Sequence, residues 1–299
     1  MSILQQPNVT ICSPFRDSEA SIAEYFDRLF NLDYPAKSLR FVAVEGDSQD
    51  STWDDLVKRW EYFDARFNLI KCDTGKPKYG SVVNAERFQV LAQVFNAALD
   101  AVDYEWTDYV LFLPSDIRYQ PDLLSRLLAH GKDIISPFVW VYLDGRNQFY
   151  DIWAFSRDGT SYMPFMHLDA DGLKPIQMHT VGGVTLIKAD VLKAGCRYTP
   201  DEVDRGLCKA AKAKGFTVWA DPTTHVYHPP FAPDKPVTSD EMNPNGYFVR
   251  VEDWGLTEIY GRDAERVMDA IYKKYGFRPP IAYVRDLIAF MSEFVHDRE

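Results

Sequence analysis

The sequence predicts an α/β protein built on a mainly parallel sheet with helices on both faces. Three observations carry this. Short apolar or β-branched runs alternate with helical patterns through the first two thirds of the chain, and the apolar residues of the helical patterns keep to one stripe. The chain has 299 residues, 46% of them hydrophobic, enough to bury a large core. A helix between successive strands carries the chain back across the sheet, so the strands it joins run parallel. The expectation is one main domain with an appendage.

In chain order the strand-like runs begin with VTIC (9–12), LRFVAV (39–44), FNLI (67–70), YVLFL (109–113) and DIISPFVW (133–140). Between them lie the helical patterns EASIAEYFDRLF (19–30), STWDDLVKRW (51–60), NAERFQVLAQVFNAAL (84–99) and PDLLSRLLAHG (121–131). In the third of these, Phe88, Leu91, Phe95 and Leu99 recur every three to four residues, one stripe on a helix face. Segment 141–180 breaks the rhythm; its aromatics and Gly/Asp turns read as hairpins or long loops that cover a site. Regularity resumes with VGGVTLIKADVL (181–192), a helix over 201–215, FTVWA (216–220) and THVYH (224–228). From Pro229 the chain turns Pro-rich and ends in two helical patterns near 260–275 and 281–296. The expected division is a main domain over 1–230 and a C-terminal helical extension over 231–299.

A formal net charge of −11 argues against a phosphate-backbone binder, because nucleic-acid affinity rests on clustered Lys and Arg. Cys12, Cys72, Cys196 and Cys208 form no CxxC pair, which suggests reduced thiols rather than a zinc knuckle or disulfide scaffold. No run approaches the roughly 18 apolar residues of a membrane span, and no signal-peptide pattern opens the chain. The expectation is a cytoplasmic protein without a membrane span.

In an open parallel sheet, ligands bind beyond the carboxyl ends of the strands, near a point where strand order reverses. Three strand ends here are unusually polar. In VAVEGDSQDST (42–52) the strand gives way to Glu45, Gly46, Asp47 and Asp50, with Asp50 or Ser51 as a helix N-cap; a capped turn is the plain alternative. This stretch resembles, without a gap, the VxVDDGSTDxT signature of nucleotide-sugar glycosyltransferases of the GT-A (Rossmann-like) fold, notably family 2. SPFRDSEASIAEYFDRLFNLDYP is similar to their opening strand and first helix, and SPFRD and NLDYP also resemble the Golgi mannosyltransferase family related to this fold. The resemblance implies a hexosyltransferase using a UDP- or GDP-sugar, with Pro14, Phe15, Arg16, Glu45 and Asp47 at the nucleotide.

The second strand end, YVLFLPSDIRYQPDLLSRLL, is similar to the family's LFLDADDxxxPDxLxxL, whose acids hold a divalent ion (Mn2+ or Mg2+) against the diphosphate. Asp116 stands in the place of the second acid, Pro114 replaces the first, and Ser115 between them is assigned to the nucleotide. KPKYGSVVNAERFQVL resembles the segment that carries the family's Arg, here Arg87, which the resemblance assigns to the nucleotide, with Lys78 as a further phosphate candidate. A solvated helix face is the alternative for Arg87. The third strand end, YTPDEVDRGLCKAAKAKGFTVWADPTTHVYH (198–228), resembles GEDxDLxxRxxxxGYRxxxxPxxxxxH. Aligned on Val203 and Asp204, it puts Asp201 and Glu202 in the two acid positions, with Glu202 as general base, and makes His228 rather than His225 a metal ligand. Thr199, Pro200 and Glu202 equally spell a capping box.

Gly182 and Gly183 match a glycine pair beside the sugar, with a β-bulge as the alternative. Trp140, Tyr142, Tyr150 and Trp153 are candidates to stack on a sugar face or to fill the core, and Trp153 is assigned to the sugar. The resemblance thus implies metal-dependent transfer of a sugar to an acceptor hydroxyl on a glycan, protein, small molecule or modified nucleobase, with inversion or retention left open. Alternatives are a nucleotide-sugar-binding protein without catalysis and a sugar nucleotidyltransferase. The latter's Gly-rich loop is missing from SPFRDSE.

Overall fold

The computed structural model describes residues 6–60, 66–80, 84–143, 146–151, 153–157, 159–162 and 174–228. The helical extension expected over 231–299 lies outside the described residues. The first three strand-like runs form β1 (Val9–Phe15), β2 (Leu39–Glu45) and β3 (Phe67–Lys71), each longer at its C-terminal end than its apolar run. Next come β4 (Tyr109–Phe112) and the long β5 (Ile134–Leu143). The helical patterns become α1 (Ile22–Phe30), α2 (Thr52–Trp60), α3 (Ala85–Asp100) and α4 (Leu123–Ala129). Asn84 caps α3 by accepting from the Arg87 N–H at 3.0 Å, while Asp50 supplies the carboxylate at the start of α2, 3.0 Å from the Thr52 N–H.

Period-two alternation sends strand residues to two hydrophobic layers. Ile11 and Leu111 face α1, α2 and α4, packing with Ile22, Phe26, Leu56 and Leu124. Cys12, Val110 and Phe112 point the other way, onto Phe88 and Leu99 of α3 and Leu207 of α6 (Asp204–Ala213). Segment 141–180 holds hairpins where it is described. One pairs β5 with β6 (Arg146–Phe149), and the other joins β7 (Ser156–Arg157) to β8 (Thr160–Ser161). β9 (Ile176–Gln177), β10 (Thr185–Lys188), α5 (Ala189–Lys193) and β11 (Val218–His228) complete the elements.

Among the described residues the main sheet has the order β3-β2-β1-β4-β10-β5-β11-β9, with β6 on β5. β1, β2, β3 and β4 run parallel, as do β5 and β11, whereas β10 lies antiparallel between β4 and β5. Strand order reverses at β1, so a crevice opens beyond the ends of β1 and β4. FTVWA and THVYH are one strand, β11, whose register on β5 shifts between Asp221 and His225. All four cysteines are free; Cys12, Cys196 and Cys208 are buried and Cys72 half-buried. No helix among the described residues is long and apolar enough to cross a membrane.

Candidate active site

Asp116 and His228 meet at the crevice, with His228 Nε2 3.2 Å from Asp116 Oδ2. A small ladder brings them together: Arg118 and Tyr227 exchange both backbone hydrogen bonds at 2.8 Å, clamping the loop after β4 onto the end of β11. The Asp116 side chain is 43% exposed and that of His228 10%, so the carboxylate opens to the crevice while the imidazole backs it. Tyr150 lies flat on His228 at 4.3 Å between ring centroids, which gives this aromatic a supporting position in place of a sugar-stacking one. Burial pushes the Asp116 carboxyl up, but His228 beside it and then Lys78 bring it below the usual carboxylate range. His225 turns instead to the Pro222 carbonyl at 2.9 Å and the Trp140 ring. Among the described residues no three His, Cys, Asp or Glu side chains gather to hold a metal. One open carboxylate and one imidazole suit Mn2+ or Mg2+ when diphosphate and water oxygens complete the shell.

On the side where the sequence resemblance expects the nucleotide, the structure redistributes the expected roles. Phe15 is 2% exposed and packs edge-on against Tyr25 at 5.0 Å, because alternation along β1 turns it into the α1 layer; it belongs to the core. Glu45 is 0% exposed, opposite Lys71 in the β2–β3 register, and accepts from Lys71 Nζ and from the Ser48 N–H. Its carboxylate fixes the turn and the lysine and leaves no face for a ligand. Gly46 makes this turn possible, since a Cβ there would lie 2.0 Å from the Cys72 carbonyl oxygen. Asp47 accepts from the N–H groups of Thr74 and Gly75, both at 2.9 Å, and so anchors the next loop. Arg16, half-buried, lies 3.9 Å from Asp47 and donates to the Lys76 carbonyl at 2.7 Å. Pro14 is half-buried beside it, Ser115 lies 3.5 Å from Ser18, and Lys78 pairs with Asp17 at 3.0 Å. Arg16, Lys78 and Ser115 thus remain at the crevice rim.

The opposite wall holds two acids that sequence reasoning missed. Asp151, after β6, accepts from the Ala154 N–H at 3.1 Å. Asp204 opens α6, with its carboxyl against Gly182: a Cβ on Gly182 would lie 3.0 Å from both Asp204 Cβ and Cγ and 2.5 Å from Ala154 Cβ. A Cβ on Gly183 would likewise lie 3.2 Å from Asp151 Oδ2. The glycine pair therefore makes room for protein side chains, and two carboxyls occupy that space. Burial, and next the neighbouring Asp151, push Asp204 up to about 8. Burial pushes Asp151 up to about 6, against the pull of Ala154, Arg87 and His228. Arg87, in the first turn of α3, pulls both carboxyls down and so faces this wall.

Glu202 lies just before the helix, with both oxygens on Lys209 Nζ at 2.6 and 2.5 Å and Arg205 at 3.8 Å. The capping box does not form either. The helix starts at Asp204, after a bridge between Thr199 and Val203 that holds Val203 at φ 46°. Asp201 is exposed. The Trp153 ring is engaged by Phe88, stacked at 5.5 Å, and by Arg205 at 4.5 Å, and Trp140 is a core residue at 6% exposure. Asp204 had a signal in the sequence, as the aspartate on which the third motif aligns; Asp151 had none.

A family model described as Anp1 matches residues 1–173. Procollagen galactosyltransferase 1-A of Xenopus laevis is 26% identical over 196 residues, 59% of this chain and 31% of that protein. The mannan polymerase II complex anp1 subunit of Schizosaccharomyces pombe is 25% identical over 276 residues, 74% of this chain and 64% of that protein. The chain thus spans less than two thirds of either relative. Among solved structures, S. aureus TarS 1-349 in complex with UDP-GlcNAc superposes with a TM-score of 0.51 at 16% identity, covering 87% of this chain and 66% of that one. A second structure, of S. aureus TarS, gives 0.52 at 16% identity over 74% of this chain and 36% of its own. With a family match over more than half its length, and a sheet order and crevice to go with it, the chain belongs to the Anp1 family and has the GT-A fold.

Proposed function

We propose that this chain is a glycosyltransferase that moves a sugar from a UDP- or GDP-sugar to an acceptor hydroxyl with the help of a divalent ion. The observation that carries the reading is the meeting of Asp116 and His228 at the strand-order reversal, residues far apart in sequence with a carboxylate open to the crevice. Similarity to a procollagen galactosyltransferase and to a mannan polymerase subunit supports sugar transfer, and favours an acceptor hydroxyl on a protein or glycan. The ion, held by Asp116 and His228, would stabilise negative charge on the departing diphosphate. Arg16 and Pro14 form the nucleoside edge, and Lys78 and Ser115 take the phosphates. Arg87 faces the sugar with Gly182, Gly183, Asp151 and Asp204. Phe15, Glu45 and Asp47 shape this site from behind.

The test is release of UDP or GDP from UDP-galactose and GDP-mannose, with methyl mannoside and methyl galactoside as acceptors, with and without Mn2+. Asp116→Ala is expected to lower Mn2+-supported turnover by more than about 100-fold, the upper range for groups that merely support a metal ligand. Metal-supported turnover that survives in Asp116→Ala would remove the pair from the reaction. A wild-type chain that binds these donors and never transfers would be a nucleotide-sugar-binding protein instead.

A further inference from the structure

We infer that the chain holds a second ligand site, for a neutral hexoside, in a cavity between α1 and the loop after β4. The cavity measures about 460 Å³ and is lined by Glu24, Asp27, Arg28, Asn31, Tyr119 and Pro121. That volume falls in the range of about 300–1,000 Å³ in which small ligands bind. Glu24, Asp27, Arg28 and Asn31 recur at helical spacing along α1 and its C-terminal cap, away from the buried face of Ile22, Tyr25, Phe26 and Leu29. Such a polar stripe normally meets open water; here Tyr119 and Pro121 wall it in. Both ends of the wall are fastened. Arg118 lies 3.3 Å from Glu24, and the Asp33 N–H donates to the Pro121 carbonyl at 2.8 Å.

The chemistry of the lining selects the ligand. Arg28, and beyond it Arg118, pair with Glu24 and hold its carboxyl below the usual carboxylate range. Asp27 is exposed, and among the described residues its carboxylate has no partner. Asn31 gives its amide N–H to the Asp27 carbonyl at 2.8 Å, which leaves the amide oxygen as an acceptor. Tyr119 is 8% exposed, and its hydroxyl, kept protonated by burial, has no hydrogen-bond partner among the described residues. An unsatisfied hydroxyl costs free energy that an occupant of the cavity can recover. Around this space Glu24 and Asp27 are matched by Arg28 and Arg118, so neither an anion nor a metal ion gains from entering. A purely apolar ligand would strip water from Asp27 and Asn31 and return no hydrogen bond. A hexopyranoside ring meets both demands: its C–H face rests on Tyr119 and Pro121, while its hydroxyls donate to Asp27 and Asn31 and accept from Arg28. The site goes beyond the transferase reading and does not depend on it. If that reading holds, a glycan held behind the loop of Asp116 keeps its reactive end at high local concentration.

The experiment titrates methyl mannoside and methyl galactoside into the isotope-labelled chain and follows backbone amide signals by NMR, in wild type, Asp27→Ala, Tyr119→Phe and Asp116→Ala. At least one of the two sugars should move the signals of residues 24–31 and of Tyr119 along a saturable curve, with UDP and Mg2+ present or absent. Asp27→Ala, an exposed change to the best helix former, should weaken that binding by about 10-fold or more at an unchanged melting temperature. Tyr119→Phe, which removes only the hydroxyl, should weaken it as well. Asp116→Ala should leave it unchanged, which separates the cavity from the crevice. No shift at these residues with either sugar, equal affinity in Asp27→Ala, or a stronger response there to phosphate or Mg2+ alone would each overturn the inference. Turnover is not read, so a chain that never transfers sugar leaves the site standing, and an empty cavity leaves the transferase reading standing.

Discussion

At Gly182 one hydrogen atom decides whether the site wall closes. A methyl group there would press on Ala154 and on the Asp204 carboxyl at once, and neither is the far end of a flexible chain. Gly182→Ala is expected to cost about 1–3 kcal/mol in a urea melt and to lower turnover by displacing Asp204. The same scale shows what sequence can say about single residues. Asp116, His228 and Arg87 were legible, because a strand end or a helix start fixes where such residues go. Glu45 and Phe15 occupy family positions just as faithfully, but their burial depends on Lys71 and on Tyr25 and Phe26, which arrive from other elements. Asp151 was illegible because the aromatic segment that delivers it has no periodicity to read.

At the scale of elements, β11 turns on its register shift. Asp221 is 0% exposed there and accepts from the Thr223 N–H at 2.9 Å, the Thr223 and Thr224 hydroxyls at 2.7 and 2.5 Å, and lies 3.1 Å from His130 Nε2. Burial raises its proton affinity, but these donors together bring it below the usual carboxylate range. That sign means a contribution present above the unfolded pKa of about 3.9 and lost as pH falls through the lower folded value. Asp221→Ala should destabilise by about 3 kcal/mol or more at pH 7, with a smaller difference from wild type at pH 3, measured by chemical denaturation. Before the shift Asp221 pairs with Pro137, and after it His225 pairs with Phe138, leading on to His228 beside Asp116. The alternating pattern foretold both halves of β11 and could not show that they join. The helix expected from 201 begins instead at Asp204, since Val203, 3% exposed, gives its side chain to the core at a backbone angle β-branched residues avoid.

At the scale of the molecule, alternation of strands and helices was enough to foresee a mainly parallel sheet between two layers. The antiparallel insertion of β10 between β4 and β5 was not foreseeable, because strand order is set by packing between distant segments, and no single run encodes it. Burial on this scale also sorts the thiols. Cys12, Cys196 and Cys208 lie inside the layers, whereas Cys72 sits half-buried beside the Gly46 turn that follows β2. Burial pushes all four thiols up, so attack on any reagent is slow and follows exposure. Mass spectrometry after brief maleimide treatment of the native chain should find one adduct, on Cys72, forming more slowly with UDP or GDP present. On the proposed reading, a single adduct at Cys72 would put a fluorophore where donor binding could be followed by light without altering a single residue.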